Sequence, residues 1–141
     1  GEIYRYVGDQ VIVTWPFARG VRDGACVVCV VEIDAVLARR RTSYEREFGA
    51  APRLRGALHA GPLIVGEMGD AKREIVLLGD TMNTASRIEE ACRTTGHDYI
   101  ASGALLPALS PPPAGVRVTP LGPTPLRGKA ETVELFALAP A

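Results

Sequence analysis

Gly79-Asp80-Thr81-Met82-Asn83-Thr84-Ala85-Ser86-Arg87 is the stretch whose reading decides the rest of the chain. It follows the apolar run Glu74 to Leu78, and it opens a segment of helix formers, Met82 to Arg93, that stops at Gly96. Asp80 or Thr81 can cap that helix. With a helix starting near Thr81, Asn83 and Arg87 fall four apart on one face, about 6 Å between their Cβ atoms. An amide and a guanidinium then point into one space. That pair suits a ligand with a ring oxygen to orient and phosphate charge to neutralise, because guanidinium binds phosphate through two parallel hydrogen bonds. The same spacing also fits a solvated helix face. Met82, Ile88 and Cys92 suit the buried side.

Upstream, Glu2 to Val7 and Val11 to Trp15 are β-branched and aromatic runs separated by Gly8-Asp9-Gln10, the grammar of a hairpin with Asp9 at or beside its turn. Asp23 to Phe48 has no proline, carries Arg39, Arg40 and Arg41 toward its end and stops at Gly49, which predicts a long helix. The β-branched run Cys26 to Val31 competes for strand, but Glu32, Asp34 and Arg39 favour a helix with one buried side. Two strands, Leu54 to Ala60 and Leu63 to Glu67, are expected around Gly61-Pro62. Downstream come a short strand Tyr99 to Ala101, a short helix Gly103 to Leu109, and strands Val116 to Thr119 and Val133 to Leu138 around a loop with Pro120, Pro123 and Pro125. Strands and helices mix without βαβ repetition. The expectation is one α+β domain over residues 1–141, a single mostly antiparallel sheet with helices packed on one face. A chain that begins inside a strand reads as cut, with part of the domain expected before Gly1.

Composition narrows the function classes. Of 141 residues, 47% are hydrophobic and 23% charged, which places the chain among ordinary globular sequences and excludes a disordered one. Sixteen basic residues balance sixteen acidic ones, so no global field collects nucleic acid. An RNA-binding sandwich also lacks paired aromatics on a central strand. Cys26, Cys29 and Cys92 are odd in number and lie in apolar or helical surroundings, against a disulfide framework and in keeping with a reducing, cytoplasmic compartment. Cys26 and Cys29, without a second Cys/His pair, read as core rather than metal ligands. His59, in an apolar strand, reads as a packed histidine.

Four segments taken together carry a resemblance: Arg5-Tyr6-Val7-Gly8-Asp9, Leu58-His59-Ala60-Gly61, Leu78 to Arg87, and Leu126-Arg127-Gly128-Lys129. In this order and over nearly the whole chain, they resemble the catalytic domain of the class III nucleotidyl cyclases, the adenylate and guanylate cyclases. The resemblance implies a ferredoxin-like cyclase fold whose first strand and helices would precede this segment. It implies that Asp9 is the family's second metal-binding aspartate, a hard oxygen ligand for one of two magnesium or manganese ions. Asn83 is similar to the asparagine that orients the ribose, and Arg87 to the arginine that stabilises the transition state. Lys129 resembles the triphosphate-binding lysine, with Arg127 beside it; a basic hairpin loop is the alternative for both.

The implied reaction is intramolecular. The ribose 3′ oxygen attacks the α-phosphorus, pyrophosphate leaves, and a cyclic monophosphate forms. In the family two domains pair head to tail, and a homodimer would share two equivalent sites. The resemblance leaves sensor or membrane domains to lie outside this segment. Two departures stand out. The family's first metal aspartate belongs to an earlier strand and has no counterpart here. The base-contacting positions hold Arg5 and Val76 instead of lysine and aspartate or threonine. Arg5 only donates, which suits adenine N1, although guanine O6 also accepts; Val76 does neither. Arg5 also fits a solvated sheet face. The reading is an adenylate cyclase domain acting on ATP; the rivals are a guanylate cyclase acting on GTP and a non-catalytic nucleotide-binding or dimerisation module.

Overall fold

A computed structural model describes residues 1–141. The backbone divides into two units, Gly1–Leu54 with Ala108–Arg117 and Pro140–Ala141, and Arg55–Pro107 with Val118–Ala139.

The first unit opens with the expected hairpin. β1 (Glu2–Val7) pairs antiparallel with β2 (Gln10–Thr14), Val7 opposite Gln10, so the loop is just Gly8-Asp9. Gly8 takes φ +61°, a value that costs glycine nothing. The register shifts between Ile3 and Arg5. A five-residue helix absent from the sequence reading follows, α1 (Phe17–Val21), in which Pro16 O accepts from Arg19 N at 2.9 Å and Gly20 N at 3.0 Å. Next comes α2 (Ala25–Phe48), which settles the run Cys26 to Val31 as helix. It starts two residues later than expected, because Asp23 and Gly24 both adopt left-handed backbone. Gly24 also lies where a Cβ would meet Pro113 Cγ at 2.1 Å, which explains glycine at that point. Gly49, at φ +78°, ends the helix by donating its N–H to Glu45 O at 3.0 Å.

In the second unit, β3 (Gly56–Leu58) runs parallel to β6 (Tyr99–Ser102), and β6 runs antiparallel to β8 (Val133–Pro140). The four-stranded order is β3-β6-β8-β7, with β7 (Val116–Thr124) at the edge. β4 (Ile64–Met68) and β5 (Glu74–Leu78) form a separate antiparallel pair, Ile64 opposite Leu78. Between β5 and β6 runs α3 (Asp80–Thr95), closed by Gly96 in left-handed backbone. α3 packs on β3 and β6. Its Ile88, Ala91 and Cys92 build a core with Ile100 of β6, Leu135 of β8 and Leu126, and Ala57, Leu121 and Val133 pack against it. Burying a side chain the size of Ile88 contributes about 1.5–3 kcal/mol.

The α+β, mostly antiparallel expectation holds, with four corrections. The single sheet is three sheets, of two, four and two strands. The strands expected over Leu54 to Ala60 and Leu63 to Glu67 are Gly56–Leu58 and Ile64–Met68: residues 59–63 are not strand, and proline has no N–H for a ladder; β3 joins β6 and β4 joins β5. The predicted loop containing Pro120 and Pro123 is strand up to Thr124, tolerated because β7 is an edge with one side free of ladder bonds. The helix expected from Gly103 is a single 3₁₀ turn, Leu106–Leu109. No helix is long and apolar enough to cross a membrane.

Candidate functional site

The start of α3 is held by contacts that explain two of the motif segments. Gly79 sits at φ +135°, where a side chain is strained, and lets β5 turn directly into the helix. Asp80 is the first helical residue, and the N-cap position expected at Asp80 or Thr81 falls on Gly79, which has no side chain to cap with. Thr81 instead donates its hydroxyl to Pro62 O at 2.7 Å. That bond brings Gly61 so close that a Cβ there would lie 2.4 Å from Thr81 Oγ1. Glycine at 61 therefore serves packing of the loop onto the helix start.

Along α3 the side chains sort by face. Thr84, Ile88, Ala91 and Cys92 are buried, while Asn83 is exposed and Arg87, one turn on, is half-buried. Arg87 donates from Nη1 to Glu90 Oε1 at 2.8 Å, and Arg127 donates from Nη2 to the same oxygen at 3.5 Å. Lys129 donates to Asp80 Oδ2 and, at 3.0 Å, to Thr84 Oγ1; Thr84 in turn donates to Asp80 at 3.4 Å. Asn83, Arg87, Arg127 and Lys129 thus all belong to α3 or to the loop tied to it. Val76 is half-buried in β5, opposite Gly66. Arg5 and Asp9 lie in the first unit, both exposed, Arg5 with its guanidinium carbon 5.2 Å from the Tyr4 ring centroid and Asp9 in the two-residue hairpin loop.

The charges act on each other. The hydrogen bond from Lys129 holds the Asp80 carboxyl below its ordinary range, with Thr84 adding to the effect. His59 is half-buried with Nδ1 2.7 Å from Oγ of the buried Ser102, the packed role expected of it. Burial, and then the charge of Lys129, pushes its pKa below the ordinary 6.5. Cys26 and Cys92 are buried free thiols, and burial raises Cys92 to about 11, which removes it from thiolate chemistry at neutral pH.

A divalent ion is the cofactor the motifs imply. Asp9 offers the hard, exposed oxygen that magnesium or manganese prefers, but no group of three or more His, Cys, Asp or Glu gathers around it or anywhere else in the chain. The residues present fit one ligand of such an ion and fall short of a two-ion site.

Sequence reading passed over Glu90, Asp80 and Thr84 as site residues. Their signal was helical spacing: Glu90 three after Arg87, and Thr84 four after Asp80, each pair on one face. What spacing could not supply was the answering loop, 37 residues from Glu90 at Arg127 and 49 from Asp80 at Lys129.

No family model matches the chain. Among curated proteins it is similar to adenylate cyclase 2 of Rhizobium meliloti (strain 1021), 38% identical over 138 residues, which is 98% of this chain and 38% of that protein. The chain therefore spans under two fifths of that relative's length. Among solved structures it is similar in fold to the adenylyl cyclase CyaB from P. aeruginosa, with TM-score 0.78 and 18% identity over 99% of this chain and 71% of that one. It is also similar to the guanylate cyclase domain of RhGC from Catenaria anguillulae, solved in complex with GTP, with TM-score 0.68 and 22% identity over 98% of this chain and 71% of that one. Likeness in sequence along nearly the whole chain, joined to a shared fold, leads to one family: the chain belongs to the class III nucleotidyl cyclases, the adenylate and guanylate cyclase catalytic domains.

Proposed function

We propose that residues 1–141 are part of a cyclase catalytic domain that converts ATP to 3′,5′-cyclic AMP and pyrophosphate in intracellular signalling. The observation that carries this reading is the convergence on α3: Asn83 exposed one turn from Arg87, with Lys129 and Arg127 drawn to the same helix from a loop far along the chain. In this reading Asn83 hydrogen-bonds the ribose and keeps the 3′ oxygen aimed at the α-phosphorus. Arg87 meets the negative charge that builds on the phosphate oxygens as the bond to the pyrophosphate breaks. Lys129 and Arg127 hold the leaving phosphates. Arg5 and Val76 border the base, where the donor-only guanidinium favours adenine N1. Asp9 is one ligand of magnesium or manganese.

The proposal includes a head-to-tail homodimer, each site taking its metal carboxylate from one copy and Asn83, Arg87 and the base contacts from the other. The β4-β5 ribbon supports a second copy as its cover. It is a two-stranded sheet with Ile64 68%, Val65 67% and Ile75 62% exposed. A lone ribbon is marginally stable, and exposed apolar patches mark association surfaces.

The experiment is a cyclase assay with manganese on the full-length protein, offering ATP and GTP separately. Arg87→Ala is expected to lower turnover about 100-fold or more, on the scale of losing one transition-state donor, and Asn83→Ala by a smaller factor, both with unchanged melting temperature. Mixing Arg87→Ala with Asp9→Ala restores about a quarter of wild-type turnover, because half of the dimers are mixed and each mixed dimer has one intact site. Full activity in Arg87→Ala removes the assigned role, and no recovery on mixing removes the shared site. Turnover of GTP in preference to ATP makes the protein a guanylate cyclase.

A further inference from the structure

We propose that Asp80 is a tethered competitor of the polyphosphate: its carboxylate occupies the Lys129 ammonium and must be displaced before a triphosphate binds. The inference rests on the assignment of Lys129 to the phosphates, and it concerns a residue that assignment does not use.

The two partners of Lys129 differ in kind. Thr84 is 3% exposed, and its single hydroxyl proton goes to Asp80 while a lone pair accepts from Lys129. This hydroxyl is fixed by packing and stays with the ammonium. Asp80 has a side chain 70% exposed, so it can leave the ammonium for water at little desolvation cost. Its place in the first turn of α3 keeps it ionised whether or not it is paired, since the helix N-terminus favours negative charge. The loop itself is anchored: Lys129 N donates to Leu126 O at 3.1 Å, Gly128 takes φ +76°, and Leu126 lies in the core. What remains free to change partner is the ammonium. An incoming phosphate oxygen replaces the Asp80 oxygen at Lys129 while Thr84 is retained. The ammonium keeps its number of hydrogen bonds, and the displaced carboxylate turns to water.

The consequence is a phosphate subsite that is self-neutralised when empty. It holds triphosphate and pyrophosphate more weakly than its cations alone would, and Asp80 stands ready to take Lys129 back as pyrophosphate departs. Short anions gain least, because one phosphate contact replaces one carboxylate contact.

The test is calorimetric titration of the full-length protein with inorganic tripolyphosphate, comparing wild type, Asp80→Asn, Lys129→Ala and the double variant. Asp80→Asn is expected to bind about fivefold more tightly than wild type, the scale of one exposed charge pair, and the gain disappears in the Lys129→Ala background. Asp80→Ser, which keeps a side chain suited to a helix start, serves as a second variant if the asparagine chain melts early. Equal or weaker binding by both Asp80 variants, the same gain without Lys129, or no binding of tripolyphosphate by wild type and variants alike overturns the proposal. A cyclase assay beside the titration separates the two ideas: no cyclic product from ATP or GTP defeats the enzymatic reading, whereas the tripolyphosphate series alone decides Asp80.

Discussion

The two long helices of this protein invert what their sequences suggest. α2 has 24 residues and a β-branched apolar start, yet only Cys26 and Val27 are buried, and Ile33 and Val36 stand 41% and 40% exposed. α3 has 16 residues and a polar sequence, yet it buries four side chains and supplies half of the main core cluster. Their charges differ in the same way. On α2 the pair Arg41–Glu45, at 2.9 Å, links two exposed groups one turn apart. On α3 the carboxylates of Asp80 and Glu90 are met by cations brought from the far end of the chain. A local pair decorates a helix surface and contributes little. A pair closed over tens of residues positions one part of the fold against another, and this is where the candidate site lies.

The largest test of that contrast is Ile88→Ala. With Ile88 fully buried, the loss is expected to be about 2–5 kcal/mol in denaturant unfolding. Val36→Ala on α2 is expected to cost under about 1 kcal/mol, since little apolar area is removed. Equal losses would erase the difference between the helices.

A smaller effect sharpens the same point at the start of α3. Gly61→Ala places a Cβ against Thr81 Oγ1 and is expected to cost about 1–3 kcal/mol. Thr81→Ala in the same chain relieves part of that cost, because the clashing atoms are gone, so the two changes are non-additive. Additive losses would show that the loop does not press on the helix there.

The smallest effect is the pH dependence contributed by His59. Its pKa in the fold is depressed below 6.5, chiefly by burial, so the unfolded chain takes up the proton first on acidification. Stability is fully present above 6.5 and falls as pH drops from there toward the folded value. His59→Gln flattens that part of the profile. A fold that gains stability on acidification in this window, and loses the gain in His59→Gln, would contradict burial as the dominant cause.

Much of this was legible residue by residue. Gly8, Gly49, Gly79 and Gly96 each end or begin an element where a positive φ is needed, and each was used as punctuation in the reading. Both hairpin strands at the N-terminus, α2, α3, the strand Glu74–Leu78 and the strand read over Tyr99 to Ala101, which runs on to Ser102, followed from period, breakers and end signals. The pairing of strands did not. The two strands around Gly61-Pro62 were readable as strands, but not that their hydrogen bonds go to β6 and β5, a choice made by long-range burial rather than by the local run. Prolines 120 and 123 read as loop because edge position is a property of the sheet, not of the segment. At the site, Asn83 and Arg87 on one face were readable from helical spacing alone. Glu90 as the common acceptor of Arg87 and Arg127, and Thr84 as the buried holder of Lys129, were not.

By itself, the sequence determined the N-terminal hairpin, both long helices, where most of those elements stop, and which family's motifs stand in order, because those properties depend on φ preferences, side-chain period and local spacing. Tertiary structure alone decided which strands pair and which carboxylate each cation finds. Those are contests among partners far apart in the chain, and burial and distance in three dimensions settle them.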